Sequence, residues 1–273
     1  MTAIHQALVV GSGTMGAGIA QVLLQAGLRV HLFDIDPEKC QQAETRILSR
    51  VGSDSDAGQR LSSVAQLSDA AEVELVIEAT PERMAVKLEV LQQLDRELPT
   101  QVIFASNSSG LDIDALADAT SRPERVLGWH FFNPPPKMPL VEIVPAAATS
   151  DEVVRSIAEL AQQLDKVPIQ VRNRPGFIVN RVLFPMINEA IYALHEGVAS
   201  AQDIDRALKL GANHPIGPLA LADFVGLDVT LDILRSFEER LGARHRPCPL
   251  LQEFVNAGRL GRKTAGGFFD YPD

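Results

Sequence analysis

The chain has 273 residues, of which 46% are apolar and 22% charged, and it has no low-complexity tract, so we expect all of it to fold, most simply as two domains. A formal net charge of −10 argues against a nucleic-acid-binding protein, because phosphate backbones demand a basic surface. A phosphate-bearing ligand must therefore be held locally, and backbone amides at a helix N-terminus can do so.

Hydropathy and cysteine usage indicate a soluble, cytoplasmic protein. No apolar run approaches the ~20 residues of a membrane span, and the first residues lack the basic flank and apolar core of a secretory signal. Cys40 and Cys248 stand far apart, without CxxC spacing or a nearby histidine cluster. This spacing argues against a disulfide framework and against a metal site.

A strand, a glycine turn and a helix are predicted to open the chain. Ala7–Val10 is a short apolar run that ends in glycines, and Met15–Ala26 favours a helix. Arg29–Phe33 predicts a second strand, and Pro37 marks the first turn of a second helix. The Gly-, Ser- and Asp-rich stretch 52–60 predicts a loop.

The middle of the chain alternates short strands with helices. Further strands are predicted at 74–77, 102–105, 126–128, 140–144 and 167–171. Helical apolar stripes lie between most of them, the clearest from Val153 to Leu164. This alternation predicts an α/β domain with a mainly parallel sheet that is covered on both faces.

The pattern changes at Asn173-Arg174-Pro175-Gly176. Beyond this point strand signals nearly vanish, and helical patterns run through 177–196, 201–210 and 227–241. We therefore predict an α/β domain at 1–173 and an all-α domain at 174–273. A helical domain this rich in large apolar residues predicts a homodimer, whose interface would cover the surplus apolar surface.

The segment Gly11-Ser12-Gly13-Thr14-Met15-Gly16 matches the GxGxxG pattern of dinucleotide-binding folds. It lies directly after a predicted strand and opens a predicted helix, which is the position that the pattern occupies in dinucleotide-binding folds. Gly11 allows the tight turn, Gly13 lets the backbone approach a pyrophosphate, and Gly16 permits close packing of the helix. Taken alone, the pattern also fits a flexible turn.

Asp34 makes the case for a Rossmann-type cofactor domain stronger. It ends the second predicted strand about 20 residues after the glycines, where a carboxylate accepts hydrogen bonds from the adenosine ribose. The same negative charge repels a 2′-phosphate. The two features together predict NAD as the cofactor in preference to NADP.

Oxidation of an alcohol needs a base that works near neutral pH, and histidine suits this role. A structural or solvated role fits five of the six histidines: His5, His31, His195, His214 and His245. His130 differs, because it ends a predicted strand and is aimed at the crevice beyond the carboxyl ends of the sheet. Glu142 lies in the next strand, where a carboxylate can fix the tautomer of the histidine, although a glutamate on a solvated strand face fits the same spacing.

Seven segments in a fixed order carry a resemblance to a known family. They are VVGSGTMGAGIAQ at 9–21, FASNSSGL at 104–111, GWHFFNPPP at 128–136, LVEIV at 140–144, RPGFIVNR at 174–181, GANHPIGPLALADFVGLD at 211–228 and GRKTAGGFFDY at 261–271. The chain resembles the short-chain L-3-hydroxyacyl-CoA dehydrogenases, particularly the bacterial 3-hydroxybutyryl-CoA dehydrogenases, over nearly its full length. This resemblance implies reversible oxidation of an (S)-3-hydroxyacyl-CoA to the 3-ketoacyl-CoA with NAD.

Carried over residue by residue, the resemblance implies that His130 is the catalytic base and Glu142 its partner carboxylate. It also implies that Ser109 and Asn180 hold the substrate, as neutral hydrogen-bonding groups can. The implied cofactor contacts beyond the three glycines and Asp34 are Thr14, Met15, Glu82, Lys87, Asn133 and Lys263. The helical domain is expected to serve substrate binding and dimerisation.

Two departures from the family pattern affect the expected substrate. Family members usually carry a long helical hairpin between the second and third strands that covers the CoA, and the stretch 35–74 leaves room only for a shortened one. Trp129 stands where the family usually has a smaller residue, and we expect it to narrow the acyl pocket in favour of short chains.

Two other functions fit the same residues. With a shortened hairpin, the hydroxyacyl group can also be presented on an acyl carrier protein or as a free acid, with the same hydride chemistry. A non-catalytic NAD-binding protein is the alternative from a different class, and the presence of Ser109, His130, Glu142 and Asn180 together argues against it.

Overall fold

The computed structural model describes residues 4–51 and 56–271, and the strands between residues 6 and 170 form one eight-stranded sheet. The strands are β1 (Gln6–Val10), β2 (Arg29–Phe33), β3 (Leu61–Ser63), β4 (Leu75–Glu78), β5 (Ile103–Ser106), β6 (Val126–Phe131), β7 (Leu140–Pro145) and β8 (Val167–Gln170). They lie in the order β3-β2-β1-β4-β5-β6-β7-β8, and every neighbouring pair is parallel except β6 and β7. The predicted mainly parallel sheet is confirmed.

Helices cover this sheet as the alternating pattern predicted. They are α1 (Thr14–Gln25), α2 (Pro37–Val51), α3 (Ala57–Arg60), α4 (Met84–Glu97), α5 (Ile113–Asp118) and α6 (Asp151–Gln163). The apolar stripe of α6 is buried at Val153, Ile157, Leu160 and Ala161. Two buried apolar clusters contain alternate residues of the same strands, as a sheet covered on both faces requires.

The stretch between β2 and β4 contains secondary structure that was not predicted from the sequence. Of the predicted loop 52–60, residues 52–55 lie outside the described part of the chain, and residues 57–60 form the single turn of α3. The edge strand β3, which pairs with β2 through Val30 and Leu61, was not predicted. A three-residue strand is too short to show a period in sequence.

The reversal between β6 and β7 follows from the length of their connection. Only residues 132–139 join the two strands. A parallel crossover needs roughly a dozen residues or more, so this short, proline-rich link returns the chain as an antiparallel neighbour. The result is a direct pairing of His130 with Glu142 and of Trp129 with Ile143.

The expectation for Trp129 was wrong. Its side chain is fully buried in the apolar cluster that includes Phe131 and Ile143, and its ring lies 4.8 Å from that of Phe131. Because successive strand residues point to opposite faces, the indole lies on the face opposite to the His130 side chain. Trp129 therefore fills the core and does not narrow a pocket beside the base.

Contacts along the chain divide it into two units, Met1–Phe177 and Ile178–Asp273; the sequence placed the change of domain at 173 and 174. The described residues of the second unit form α7 (Val179–His195), α8 (Ala201–Gly211), α9 (Pro218–Val225), α10 (Leu227–Leu241) and α11 (Pro249–Asn256). Their core includes Ile187, Leu219, Leu231 and Leu234. None of the helices in the described part of the chain is long and apolar enough to cross a membrane.

Candidate active site

The glycine turn between β1 and α1 has the geometry that a dinucleotide needs. Gly11 has a φ of 99°, and a β-carbon added there would meet the Ala79 carbonyl oxygen at 2.7 Å. At Gly16 an added β-carbon would lie 1.8 Å from the Gly11 carbonyl oxygen, so both positions require glycine. At Gly13, which precedes the first turn of α1, an added β-carbon would meet nothing within 4 Å. The turn is therefore closely packed at Gly11 and Gly16 and open at Gly13, which leaves space for a pyrophosphate at the helix N-terminus.

Asp34 directly follows β2 and is tied to this turn. Its Oδ2 accepts hydrogen bonds from the backbone amide and the hydroxyl of Ser12, both at 2.7 Å, and its Oδ1 accepts one from the Asp36 amide at 3.1 Å. Partial burial alone would raise the pKa of Asp34, but the bonds from Ser12 and Asp36, with the charge of Lys39, outweigh it and hold the pKa below the ordinary value. The side chain is thus a carboxylate at neutral pH, as ribose recognition requires.

His130 and Glu142 form a buried pair on the antiparallel strands β6 and β7. The His130 Nδ1 lies 2.7 Å from the Glu142 Oε2. Glu142 is fully buried and His130 is 6% exposed. This burial excludes the alternative that the sequence left open, in which Glu142 lies on a solvated strand face. A carboxylate only accepts hydrogen bonds, so Nδ1 carries the proton and Nε2 is left as the proton acceptor.

Two phenylalanine rings enclose the imidazole. The ring centroid of His130 lies 4.4 Å from that of Phe132 and 5.8 Å from that of Phe177. These apolar walls limit access of water to the pair and leave the polar contact with Glu142 to orient the ring. Neither phenylalanine was singled out from the sequence.

The turn that contains Ser109 follows β5 at the same edge of the sheet. Glu82 holds it, because the Glu82 Oε1 accepts hydrogen bonds from the Ser108 hydroxyl at 2.7 Å, from the Ser109 amide at 2.8 Å and from the Ser109 hydroxyl at 3.2 Å. Asn107 joins this turn to β6, since its Oδ1 accepts a hydrogen bond from the Phe131 amide at 2.9 Å. One hydrogen bond thus joins the serine turn to the residue that follows the base.

Lys87 is buried inside the protein and does not extend into solvent. Its side chain is fully buried, and its Nζ lies 2.9 Å from each carboxylate oxygen of Glu78. Glu78 was missed in the sequence, although a lone acidic residue that ends the apolar run Leu75-Val76-Ile77 is the kind of signal that marks a site at this edge of a sheet. The predicted contact between Lys87 and the cofactor stays a prediction.

The remaining predicted residues are placed as follows. Thr14 and Met15 form the first turn of α1, and Asn133 is exposed two residues after β6. In the second unit, Asn180 is the second residue of α7, and the Lys263 Nζ lies 2.6 Å from both carboxylate oxygens of Asp228. Their roles toward substrate and cofactor stay predictions.

Among residues 4–51 and 56–271, no group of three His, Cys, Asp or Glu side chains is placed to hold a metal ion. What the first unit brings together is a glycine turn, a ribose carboxylate and a base with its carboxylate, at the carboxyl edge of one sheet. That set can hold a dinucleotide and remove a proton from a hydroxyl group.

Family models match both units. Residues 6–174 match the NAD-binding domain of 3-hydroxyacyl-CoA dehydrogenase, and residues 176–271 match the C-terminal domain of the same enzymes. Together the two matches cover nearly all of the chain.

Individual proteins agree with the family models. A probable 3-hydroxybutyryl-CoA dehydrogenase of Bacillus subtilis is 45% identical over 99% of this chain and 98% of its own length. The mitochondrial hydroxyacyl-coenzyme A dehydrogenase of Homo sapiens is 39% identical over 98% of this chain and 91% of its own length. The crystal structure of an (S)-3-hydroxybutyryl-CoA dehydrogenase from Ralstonia eutropha superposes with a TM-score of 0.96 at 42% identity, covering 99% of this chain and all of that one.

Proposed function

The chain belongs to the 3-hydroxyacyl-CoA dehydrogenase family of NAD-dependent oxidoreductases, and we propose that it reversibly oxidises a short (S)-3-hydroxyacyl-CoA, such as 3-hydroxybutyryl-CoA, to the 3-ketoacyl-CoA. The observation that carries this proposal is the 2.7 Å pair of His130 and Glu142 on the sheet edge that also holds the glycine turn. A base at that edge faces the position where the carboxyl ends of the strands bind ligands.

His130 acts as the general base. Bound NAD would supply the acceptor for the hydride that leaves the C3 carbon of the substrate. The His130 Nε2 takes the proton of the 3-hydroxyl group as that carbon–hydrogen bond breaks, and the carbon–oxygen bond becomes a carbonyl. In the reverse direction the same nitrogen returns the proton to the alkoxide.

Glu142 keeps the imidazole in the reactive tautomer. Its carboxylate accepts from the Nδ1–H, and its negative charge stabilises the imidazolium that forms when Nε2 takes the substrate proton. Burial strengthens this interaction, because the pair is poorly screened by water.

The substrate and cofactor contacts complete the assignment. Ser109 and Asn180 hold the 3-hydroxyl group and the thioester carbonyl by neutral hydrogen bonds. The cofactor contacts are Gly11, Gly13, Thr14, Met15, Gly16, Asp34, Glu82, Lys87, Asn133 and Lys263. The resemblance to the family supports these roles, and for the glycines and Asp34 the turn geometry supports them as well.

A substrate panel tests the proposal. Purified protein is assayed with NAD and 3-hydroxyacyl-CoA of four, eight and twelve carbons, with 3-hydroxybutyryl groups on acyl carrier protein, and with free 3-hydroxybutyrate, following the absorbance of NADH. We expect the highest kcat/KM for the four-carbon CoA ester, in line with the names of the bacterial relatives. A twelve-carbon optimum would overturn the short-chain assignment, and a carrier-bound or free-acid optimum would overturn the CoA assignment.

The protein is further assigned as a cytoplasmic homodimer. Val182, Val198, Leu210 and Phe224 of the second unit are each more than half exposed, which supports an interface on that unit. Cys40 and Cys248 are both free thiols, as in a reducing compartment. Analytical ultracentrifugation tests the dimer, and cell fractionation with an antibody tests the location.

A further inference from the structure

A buried ion pair lies at the centre of the sheet edge, between the glycine turn and the serine turn. Glu78 ends β4, where it is paired in register with Val10 of β1 and with Ser106 of β5. Both Glu78 and its partner Lys87 have fully buried side chains, with the Lys87 Nζ 2.9 Å from each Glu78 oxygen. A fully buried pair of opposite charges is costly to desolvate, and apolar residues of similar volume often give a fold that is as stable.

The pair is also surrounded by further polar bonds. The Glu78 Oε2 accepts a hydrogen bond from the Ser106 hydroxyl at 2.6 Å, and its Oε1 accepts bonds from the Thr80 amide at 2.7 Å and the Thr80 hydroxyl at 2.5 Å. The Lys87 Nζ donates to the Thr80 carbonyl at 3.2 Å. These bonds engage both the backbone amide and the backbone carbonyl of Thr80, and so tie the segment after β4 to the ion pair.

That segment touches the glycine turn. An added β-carbon at Gly11 would lie 2.7 Å from the Ala79 carbonyl oxygen and 3.1 Å from the Thr80 nitrogen. The same Thr80 nitrogen is the one that donates to Glu78. A shift of Thr80 would therefore move the backbone against which the first glycine of the cofactor turn packs.

The pair also reaches the serine turn. The Lys87 Nζ lies 3.5 Å from the Glu82 Oε2, and Glu82 is 38% exposed, whereas Lys87 is enclosed. The other oxygen of Glu82 accepts the bonds from Ser108 and Ser109. Lys87 thus carries one positive charge between two carboxylates, the buried Glu78 and the partly exposed Glu82.

The geometry points to Glu78 and Lys87 as positioning residues for the dehydrogenase reaction, acting through Thr80 on the cofactor turn and through Glu82 on Ser109. This positioning role is additional to the cofactor contact proposed for Lys87, and Glu78 is needed because it holds the lysine charge in place. The inference rests on the proposed function for its link to the substrate, while its link to the cofactor turn can be measured by binding alone.

A second buried ion pair on the same helix offers a matched control. The Arg122 Nε lies 2.7 Å from the Asp95 Oδ1 near the other end of α4, with the two side chains 3% and 13% exposed. Among the described residues, this pair bonds to neither the glycine turn nor the serine turn. Its further contacts are with Ser121, Thr120, Leu98, Pro99 and the ring of Phe104. Loss of its cation should therefore destabilise the fold without a specific effect on the active site.

The experiment compares four proteins: wild type, Lys87→Met, the double variant Glu78→Gln/Lys87→Met, and Arg122→Met. For each, the midpoint of urea unfolding, the Kd for NADH by fluorescence, and kcat and KM with 3-hydroxybutyryl-CoA are measured on the folded fraction. Lys87→Met and Arg122→Met are both expected to unfold at lower urea, because each leaves a carboxylate buried without its cation. The double variant should regain much of that stability, since neither charge remains.

Activity separates positioning from stability. Lys87→Met and the double variant should both show kcat/KM lower by about 10- to 100-fold, the usual range for partners that orient a functional residue, with weaker NADH binding. Arg122→Met should keep the wild-type Kd and kcat/KM. Recovery of kcat/KM and NADH affinity together with stability in the double variant would overturn the proposal, as would an equal loss in Arg122→Met.

Two conservative variants serve if Lys87→Met does not fold. Thr80→Val and Ser106→Ala each remove one hydroxyl bond to Glu78 and leave both charges in place. We expect NADH to bind several-fold more weakly to Thr80→Val, and wild-type affinity in that variant would overturn the proposal. If the wild-type protein failed to oxidise any 3-hydroxyacyl-CoA, the substrate assignment would fail, and NADH affinities across the same variants would still decide the link to the cofactor turn.

Discussion

His130 and Glu142 lie directly opposite each other on β6 and β7, and their side chains meet at 2.7 Å inside the protein. The register of an antiparallel pair fixes this contact, because directly opposed residues carry their side chains on the same face. The sheet therefore holds the imidazole ring without help from a mobile loop. Replacement of either residue should affect the chemistry more than the fold of the cofactor turn.

For His130→Ala we expect turnover to fall by about 10²- to 10⁴-fold, the usual contribution of a positioned general base. The affinity for NADH should stay close to that of wild type, because the glycine turn and Asp34 belong to β1, α1 and the end of β2. Stopped-flow turnover and NADH fluorescence titration measure the two quantities. Full activity in this variant would remove His130 from the role of base.

For Glu142→Gln we expect a smaller loss than for His130→Ala, because the amide oxygen still accepts a hydrogen bond from Nδ1–H, although the negative charge is lost and the new NH2 group competes as a donor to the same nitrogen. The two residues act as one unit, so the double variant should be about as slow as His130→Ala alone. Comparison of kcat for the two single variants and the double variant tests this. Losses that multiply in the double variant would show that Glu142 acts independently of His130.

The cofactor half of the site could be predicted from sequence because its signals are local. The glycine turn and Asp34 lie within 24 residues of one another, on elements whose order alone sets their geometry. The position of His130 was also predictable, since a residue near the carboxyl end of a strand lies at the ligand edge. The contact with Glu142 needed the strand direction, which the short 132–139 connection determines.

The features that could not be predicted from the sequence depend on the face of the sheet that a residue occupies and on partners that are distant in the chain. Trp129 and His130 are neighbours in sequence, and only the alternation of the strand places the indole in the core. Glu78 meets Lys87 across nine residues and Ser106 across 28, a network that no spacing rule describes. The edge strand β3 was missed because three residues carry no period.

Asp34→Asn should weaken the preference for NAD over NADP. The amide keeps an oxygen for the Ser12 bonds but no longer repels a 2′-phosphate, and it binds the ribose less strongly than a carboxylate does. We expect the NAD affinity to fall by about 10- to 100-fold, the range for loss of a hydrogen bond to a charged group. The ratio of kcat/KM for NAD and NADP measures the change.

The pH dependence of NAD binding in wild type follows from the lowered pKa of Asp34. The carboxylate stays charged down to a pH below the ordinary range for aspartate. The Kd for NAD should therefore be constant between pH 8 and about pH 5, whereas the 2′-phosphate of NADP takes up a proton at about pH 6 and is repelled less below it. An NAD affinity that falls steadily across this range would show that another group holds the ribose.

His245 should make the stability of the protein fall as the pH drops. The residue is 8% exposed, its Nδ1 has no hydrogen-bond partner among the described residues, and the Arg244 Nε lies 3.0 Å from its Nε2. Burial, and then the charges of Arg181 and Arg244, lower the pKa of His245 below 6.5. The unfolded chain therefore takes up a proton near pH 6.5 before the folded chain does.

This sign means that the stabilising contribution of His245 is complete above about pH 6.5 and is lost as the pH falls through its lowered pKa. His245→Gln keeps an acceptor for Arg244 but cannot take up the proton. We expect urea unfolding between pH 7.5 and pH 5 to show a smaller loss of stability in His245→Gln than in wild type; the remaining loss includes His31, whose pKa burial also lowers. Parallel curves for the two proteins would show that His245 is not protonated preferentially in the unfolded chain.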